Sequence, residues 1–148
     1  MFRGSSSHTI DAKGRIIIPT RFRDVIKASG ESALMLSRMD GCLFAYTLDE
    51  WRAIEGRILS MSEQSESMRR FRRVFIGGAF ECAMDKQGRV LVPPSLRRYA
   101  DLEKEIVLVG VLNRFEIWSE DRWDAENQKM EDDLKGEGTR NDVAQLGL

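Results

Sequence analysis

Apolar side chains follow two rhythms along this chain, and the change from one to the other marks out a repeated unit. Short apolar runs bounded by turn residues predict strands at His8 to Ile10 and Ile16 to Ile18, then in "ALMLSR" and "CLFAYT". The same order returns at Cys82 to Met84 and Val90 to Val92, followed by "EIVLVGV" and "FEIWS". Between the second and third strand of each set the spacing becomes helical. Phe22, Val25 and Ile26 fall at i, i+3 and i+4, as do Leu96, Tyr99 and Ala100, and each group follows a proline suited to the first turn of a helix. The unbroken branched triplet Ile16-Ile17-Ile18 predicts a strand covered on both sides, as in a small closed barrel or interlocked sheets. Each half therefore reads strand, turn, strand, short helix, strand, turn, strand. Each then runs into a helix at "LDEW" or "SEDRW", where Asp49 or Ser119 is placed to cap.

The turns identify the repeat as a duplication. "IDAKGRIIIP" (10–19) and "MDKQGRVLVP" (84–93) align with Asp11 over Asp85, Gly14 over Gly88, Arg15 over Arg89 and Pro19 over Pro93, and Arg23 falls over Arg97 further on. After a two-residue shift "LFAYTLDEW" lies over "FEIWSEDRW". Asp at the first turn position can accept backbone N–H bonds, and Gly supplies the positive φ that a bulged hairpin connection needs. The later hairpins are marked by Asp40-Gly41 and by Asn113. Between the halves, "SMSEQSESMRRFRRVFIGGAF" predicts a polar loop and then a helix ending at Gly77-Gly78, with Phe71, Val74 and Phe75 as its apolar stripe. Arg69, Arg70, Arg72 and Arg73 form either a solvated face or a secondary binding surface. The C-terminal "MEDDLKGEGTRNDVAQLGL" has no clear apolar period and predicts a frayed, acidic tail.

Composition narrows the class. A chain of 148 residues with 42% hydrophobic content suffices for one compact domain, or for two half-domains sharing a core. It has no apolar run long enough for a membrane span and no signal-peptide core at "MFRGSSSHTI", so a cytoplasmic location is expected. Cys42 and Cys82 lack metal-ligand spacing and read as buried free thiols; no metal or cofactor is expected. Net charge is −1, but the charges are unevenly placed. Arg3, Lys13, Arg15, Arg21, Arg23 and Lys27 oppose only Asp11 and Asp24 in residues 1–30, and a second basic tract surrounds the other turn. Acidity collects between Glu116 and Glu137, where nine carboxylates face three basic residues. One basic face and an acidic periphery is the footprint that a phosphate backbone requires.

The combination of the two Asp-x-x-Gly-Arg turns with "FRGSSSHTIDAKGR", "DGCLFAYTLDEW" and "VLVGVLNRFEIWSEDRW" closely resembles the MraZ family, bacterial regulators carrying two SpoVT-AbrB-type motifs in one chain. The resemblance covers roughly residues 1–130. It implies a mainly β, α+β fold with a swapped-hairpin barrel built from the two repeats, plus connecting and C-terminal helices. The corresponding division is repeat 1 at 5–53, connecting helices at 54–78, repeat 2 at 79–125 and an acidic mobile tail at 126–148. It further implies a multimeric ring, nucleoid-associated, that binds repeated elements in double-stranded promoter DNA of a division and cell-wall gene cluster, typically as a repressor. By matched position Arg15 and Arg89 become leading DNA contacts, supported by Lys13, Lys86 and Gln87. The two turns are not equivalent, since Gln87 stands where the first has Lys13, and Lys86 where it has Ala12.

The residue chemistry agrees with this reading. Arginine offers a planar fork that can take guanine O6 and N7 together or clamp a phosphate. Arg15 could alternatively pair with Asp11 within its own turn. Arg21, Arg23, Arg97 and Arg98 on the short helices, with Arg3 on the basic N-terminal tract, would attract phosphates without reading sequence or would pair across subunits. Phe2, Phe80 and Tyr99 are candidate interface residues. Two rival classes remain. An enzyme could be assembled on paper from Asp11, Asp85, His8, Ser5 to Ser7 and Cys42, but the lone His8 has no nucleophile or ligand spacing and no small-molecule substrate is expected. A non-DNA-binding interaction ring would instead work through the acidic helices near Trp51 and Trp123.

Overall fold

A computed structural model describes residues 1–62 and 65–148; part of the expected inter-repeat polar loop, Glu63 and Gln64, lies outside the described residues. The first half runs β1 (Phe2–Thr9), β2 (Arg15–Ile17), α1 (Thr20–Ala28), β3 (Ala33–Met39), β4 (Cys42–Thr47) and α2 (Leu48–Leu59). After α3 (Glu66–Gly77) the order returns as β5 (Phe80–Ala83), β6 (Arg89–Leu91), α4 (Pro94–Ala100), β7 (Glu105–Leu112), β8 (Phe115–Ser119) and α5 (Glu120–Asp133), with α6 (Glu137–Ala144) beyond. The fold is α+β, with antiparallel pairing throughout the described strands.

The two halves exchange strands. β1 pairs with β7 of the second repeat, from Phe2 opposite Leu112 to Thr9 opposite Glu105, and β5 returns the exchange by pairing with β3, Ala83 opposite Ala33. β4 and β8 join the halves at Leu43 and Ile117. The result is a six-stranded sheet in the order β1-β7-β8-β4-β3-β5, and a separate ribbon of β2 with β6. Two bonds of 2.9 Å extend that ribbon, from Ile18 N–H to the Gly88 carbonyl and from Val92 N–H to the Gly14 carbonyl. Each repeat thus completes its part of the sheet with a strand of the other.

Alternation along the sheet divides the core in two. Leu34, Leu36, Leu43, Ala45, Ile106, Leu108, Phe115 and Ile117 point to one face, where Ile16, Ile18, Val90 and Val92 of the ribbon region meet Phe22, Ile26, Leu96 and Ala100 of α1 and α4. Phe2, Phe22 and Phe115 close this core with ring centroids 4.9–5.4 Å apart. Phe44, Tyr46, Val107, Val109 and Trp118 point to the opposite face, covered by Trp51 and Ile58 of α2 and Phe75 of α3. Each such side chain taken wholly out of water contributes about 1.5–3 kcal/mol. On this second face Arg114 donates to Glu116 Oε2 through Nε (2.9 Å) and Nη2 (2.7 Å), while Trp118 Nε1 donates to Oε1 at 3.1 Å.

The structure revises several expectations. The strand covered on both sides is not β2: Ile16 and Ile18 are buried, but Ile17 is 52% exposed. Double cover belongs to β4, β7 and β8, which have helices on one face and the ribbon with α1 and α4 on the other. Thr47, rather than Asp49, caps α2 by accepting from Glu50 N–H; Asp49 lies in the first turn. Ser119 caps α5 by accepting from Arg122 N–H. Phe2 is buried at 2% exposure and belongs to the core, because β1 is the strand given to the other repeat. Tyr99 is half-buried, its hydroxyl accepting from Gly41 N–H, whereas Phe80 is exposed. Finally, most of the segment expected to be a frayed tail is helical, in α5 and α6. The capped start of α5, its acidic first turn and ion pairs such as Lys129–Glu126 favour helix locally, without an apolar stripe and with no residue buried.

Candidate nucleic-acid interface

The two turns are built alike, atom for atom. In the first, Asp11 Oδ1 accepts from Lys13 N–H (2.9 Å) and Arg15 N–H (2.8 Å), and Gly14 N–H donates to the Asp11 carbonyl at 2.9 Å. In the second, Asp85 Oδ1 accepts from Gln87 N–H and Arg89 N–H, both at 2.9 Å, and Gly88 N–H donates to the Asp85 carbonyl at 3.0 Å. The remaining carboxylate oxygen takes the arginine: Arg15 Nε to Asp11 Oδ2 is 2.7 Å, and Arg89 Nε to Asp85 Oδ2 is 2.8 Å. Bonds from the arginine backbone N–H are the largest influence holding both carboxyls below the ordinary carboxylate range, ahead of the arginine side chain. The pairing within the turn is thus present in both copies. It uses Nε, which leaves the Nη edge of each fork without a hydrogen bond among the described residues. The aspartate aims the arginine while still allowing it a second acceptor.

Gly14 and Gly88 have φ of +88° and +77°, as a bulged hairpin requires. They are also buried, which the turn alone does not explain. A methyl group on Gly14 would lie 2.6 Å from Arg97 Cζ, and one on Gly88 would lie 2.6 Å from Arg23 Nη1. Each helix arginine therefore backs the turn of the other repeat, with its Nε buried and without a hydrogen-bond partner among the described residues. A guanidinium tolerates this better than an ammonium would, because it is weakly hydrated and packs by its face. Spacing in the sequence hinted at Arg23 and Arg97 as an equivalent pair, but not at this crossed contact, which depends on the strand exchange.

The candidate residues fall into separate places. Lys13, Lys86 and Gln87 are exposed at the turn tips, beside Arg15 and Arg89. Arg23 and Arg97 lie behind the turns, and Arg98 is exposed on α4. Arg3 and Arg21 are elsewhere: Arg21 donates to the Arg3 carbonyl and to Ser6 Oγ, near the start of β1. At about 3.3 Å per residue, Arg3 is some 20 Å along β1 from its turn end at Thr9. The arginines of α3 lie across the sheet from the ribbon, because α3 packs through Phe75 on the other face, and Arg70 pairs with Glu66 at 3.2 Å. The paper enzyme is not brought together, since Cys42 is buried on that far face while His8 bonds Ser6 Oγ on β1 at 2.7 Å. Among the described residues, no group of three His, Cys, Asp or Glu side chains is placed to hold a metal ion, and no helix is long and apolar enough to cross a membrane.

Two intertwined copies of the strand, Asp-x-x-Gly-Arg turn, strand and helix unit define a duplicated, strand-exchanged α+β protein. A family model described as "MraZ protein, putative antitoxin-like" matches twice, at residues 1–74 and 75–143, and the chain belongs to the MraZ family. Proteins named "Transcriptional regulator MraZ" are similar along its whole length. That of Desulforapulum autotrophicum is 60% identical over 148 residues and that of Desulfosudis oleivorans 51% over 148, each match covering all of both chains. That of Ligilactobacillus salivarius is 48% identical over 134 residues, covering 90% of this chain and 92% of the relative.

Proposed function

We propose that this chain is a transcriptional regulator that binds double-stranded promoter DNA through its two Asp-anchored turns, acting as a multimeric ring on repeated promoter elements. Repression of a division and cell-wall gene cluster is the regulatory role in this reading. The observation that carries it is the pair of arginines, Arg15 and Arg89, displayed by identical rigid turns on one ribbon, with Lys13 and Lys86 exposed beside them. A turn that is already ordered loses little entropy on binding, and the Nη edges match guanine or phosphate acceptors. Gln87 gives the second turn an amide suited to adenine, so the two tips would read different bases. Arg98 and the lysines add phosphate attraction. One ribbon offers few contacts, so repeating it around a ring that engages successive DNA repeats supplies the affinity.

The test is a mobility shift with a pool of 30-bp duplexes of random core sequence, across a salt series, followed by selection of the bound fraction. The reading expects enrichment of a repeated motif and a log affinity against log salt slope steeper than about −3, for at least three or four neutralised phosphates. Arg15→Ala with Arg89→Ala should weaken binding by more than about tenfold, the loss of at least one bidentate contact. A shallow slope, or unchanged binding by that variant, would sink the proposal.

A further inference from the structure

The outer face of the ribbon carries more than its arginines. Side chains alternate along β2 and β6, so with Ile16 and Val90 turned into the core, Arg15, Ile17, Arg89 and Leu91 share the opposite face. Ile17 is 52% exposed and Leu91 56% exposed. Their register is crossed, Ile17 standing directly opposite Arg89 and Leu91 directly opposite Arg15. These are the close, non-hydrogen-bonded positions of the ladder, because the Ile18 and Val92 N–H bonds to Gly88 and Gly14 fix the alternate positions as the bonded ones. Such opposed residues have Cα atoms about 4.5 Å apart. Each exposed aliphatic group is therefore held beside an arginine of the other repeat, twice over by pseudo-symmetry.

We infer that Ile17 and Leu91 are specificity-determining residues of the interface, contacting the 5-methyl groups of thymine in the major groove while the neighbouring arginines take guanine or phosphate. This rests on the DNA-binding reading above and extends it. Charge complementarity names the occupant: each aliphatic group stands opposite an arginine on a ribbon whose turns carry exposed lysines, a setting suited to a polyanion with apolar points on its groove floor rather than to an apolar protein surface. A two-stranded ribbon has the width that the major groove admits, and thymine methyl is the apolar feature displayed there. Beside Ile17, Glu105 lines a shallow hollow with Ser7, His8 and Thr9. That carboxylate disfavours phosphate next to Ile17 but does not penalise an uncharged base edge.

The experiment takes the duplex enriched by selection and a copy in which deoxyuridine replaces every thymidine, removing only the methyl groups. Affinities are measured by fluorescence anisotropy for the full chain and for Ile17→Ser, Leu91→Ser, with Ile17→Val as a milder second variant. The full chain should lose about fourfold for each methyl contact removed from water. The double serine variant should bind both duplexes equally, near the affinity of the full chain for the deoxyuridine copy, and Ile17→Val should retain methyl sensitivity. Indifference of the full chain to the methyl groups would overturn the inference while leaving DNA binding intact. So would a serine variant that changes subunit mass by light scattering with its methyl sensitivity unaltered, since the face would then join protein copies. Failure to bind any duplex would overturn the DNA reading itself, and this inference with it.

Discussion

The Arg97 guanidinium sits so close to Gly14 that a single methyl group on the glycine would lie 2.6 Å from Cζ, and Arg23 stands in the same relation to Gly88. Each repeat therefore supplies the support behind the turn that the other repeat displays. Ordering of the two tips is coupled through the strand exchange, so damage on one side is expected to reach the other.

Gly14→Ala and Gly88→Ala should each destabilise the protein by about 1–2 kcal/mol from the positive φ alone, with a further cost from displacing the arginine. Arg97→Ala removes the obstacle to Gly14→Ala but not its backbone strain. A double-mutant cycle on thermal or urea unfolding should then give a coupling of about 0.5–3 kcal/mol. Strict additivity would show that the two groups do not touch.

The turn aspartates make a pH prediction with a definite sign. Folding depresses both carboxyl pKa values, chiefly through bonds from the arginine N–H groups. Their contribution is therefore complete above the ordinary aspartate value of about 3.9 and is lost as pH falls through the lower, folded values. Carboxyl NMR titration of Asp11 and Asp85 should give midpoints below that value. Stability of the Asp11→Asn, Asp85→Asn variant should fall less steeply in acid than that of the unaltered chain; identical acid profiles would contradict the hydrogen bonding described.

Much of this was legible in the chain. Duplication, turns and short helices were marked by residues whose roles are local: Asp and Gly at fixed turn positions, Pro19 and Pro93 before helices, apolar residues at i, i+3 and i+4. What failed was the inference from a local run to its surroundings. Ile16-Ile17-Ile18 has the composition of a doubly covered strand, yet β2 pairs with β6 alone and Ile17 faces outward; which strands receive cover on both faces is decided by partners more than 60 residues distant. Likewise Arg23 and Arg97 were recognisable as equivalents, but their contact with Gly88 and Gly14 exists only after the halves interlock. The start of α5 was legible at "SEDRW" with Ser119 as its cap, but its continuation and α6 were not, because no apolar period runs on through them.

The hairpin between β7 and β8 carries strain in an unexpected residue. Asn113 marked the turn, but the positive φ falls on Leu112, at +78°, with its side chain 52% exposed. Leu112→Gly should release that strain and raise stability by about 1 kcal/mol, read as an increase in melting temperature. A decrease would mean that the leucine makes a stabilising contact that outweighs the strain of its backbone.

Both cysteines should be inert in the folded chain. Burial pushes the Cys42 thiol far above its ordinary range and Cys82 up to about 11. Cys42 Sγ donates to the Met39 carbonyl at 3.3 Å and Cys82 Sγ to the Phe80 carbonyl at 3.6 Å. A thiol reagent at neutral pH should label neither until denaturant is added, since the thiolate is the reactive form. Rapid labelling of either in native buffer would place that residue at a surface that opens.

Glu116 gives the clearest test of what holds the second core together. It is buried at 8% exposure among apolar groups, yet it accepts from Arg114 through both Nε and Nη2 and from Trp118 Nε1, and the Arg114 Cζ lies 3.9 Å over the Phe44 ring. Removing the carboxylate strands three N–H donors on two residues at once, and a lost charged hydrogen bond costs about 1.5–3 kcal/mol. Glu116→Ala should therefore destabilise by at least about that much, with altered Trp118 fluorescence. Glu116→Gln keeps a single acceptor oxygen, for either Trp118 or Arg114, and turns an amide N–H toward the other, so its stability should fall between those of the alanine variant and the unaltered chain. If alanine and glutamine variants were equally stable, the acceptor geometry would be irrelevant and only packing of the stem would matter. Neither variant touches the ribbon, so affinity for DNA per folded molecule should remain that of the unaltered chain.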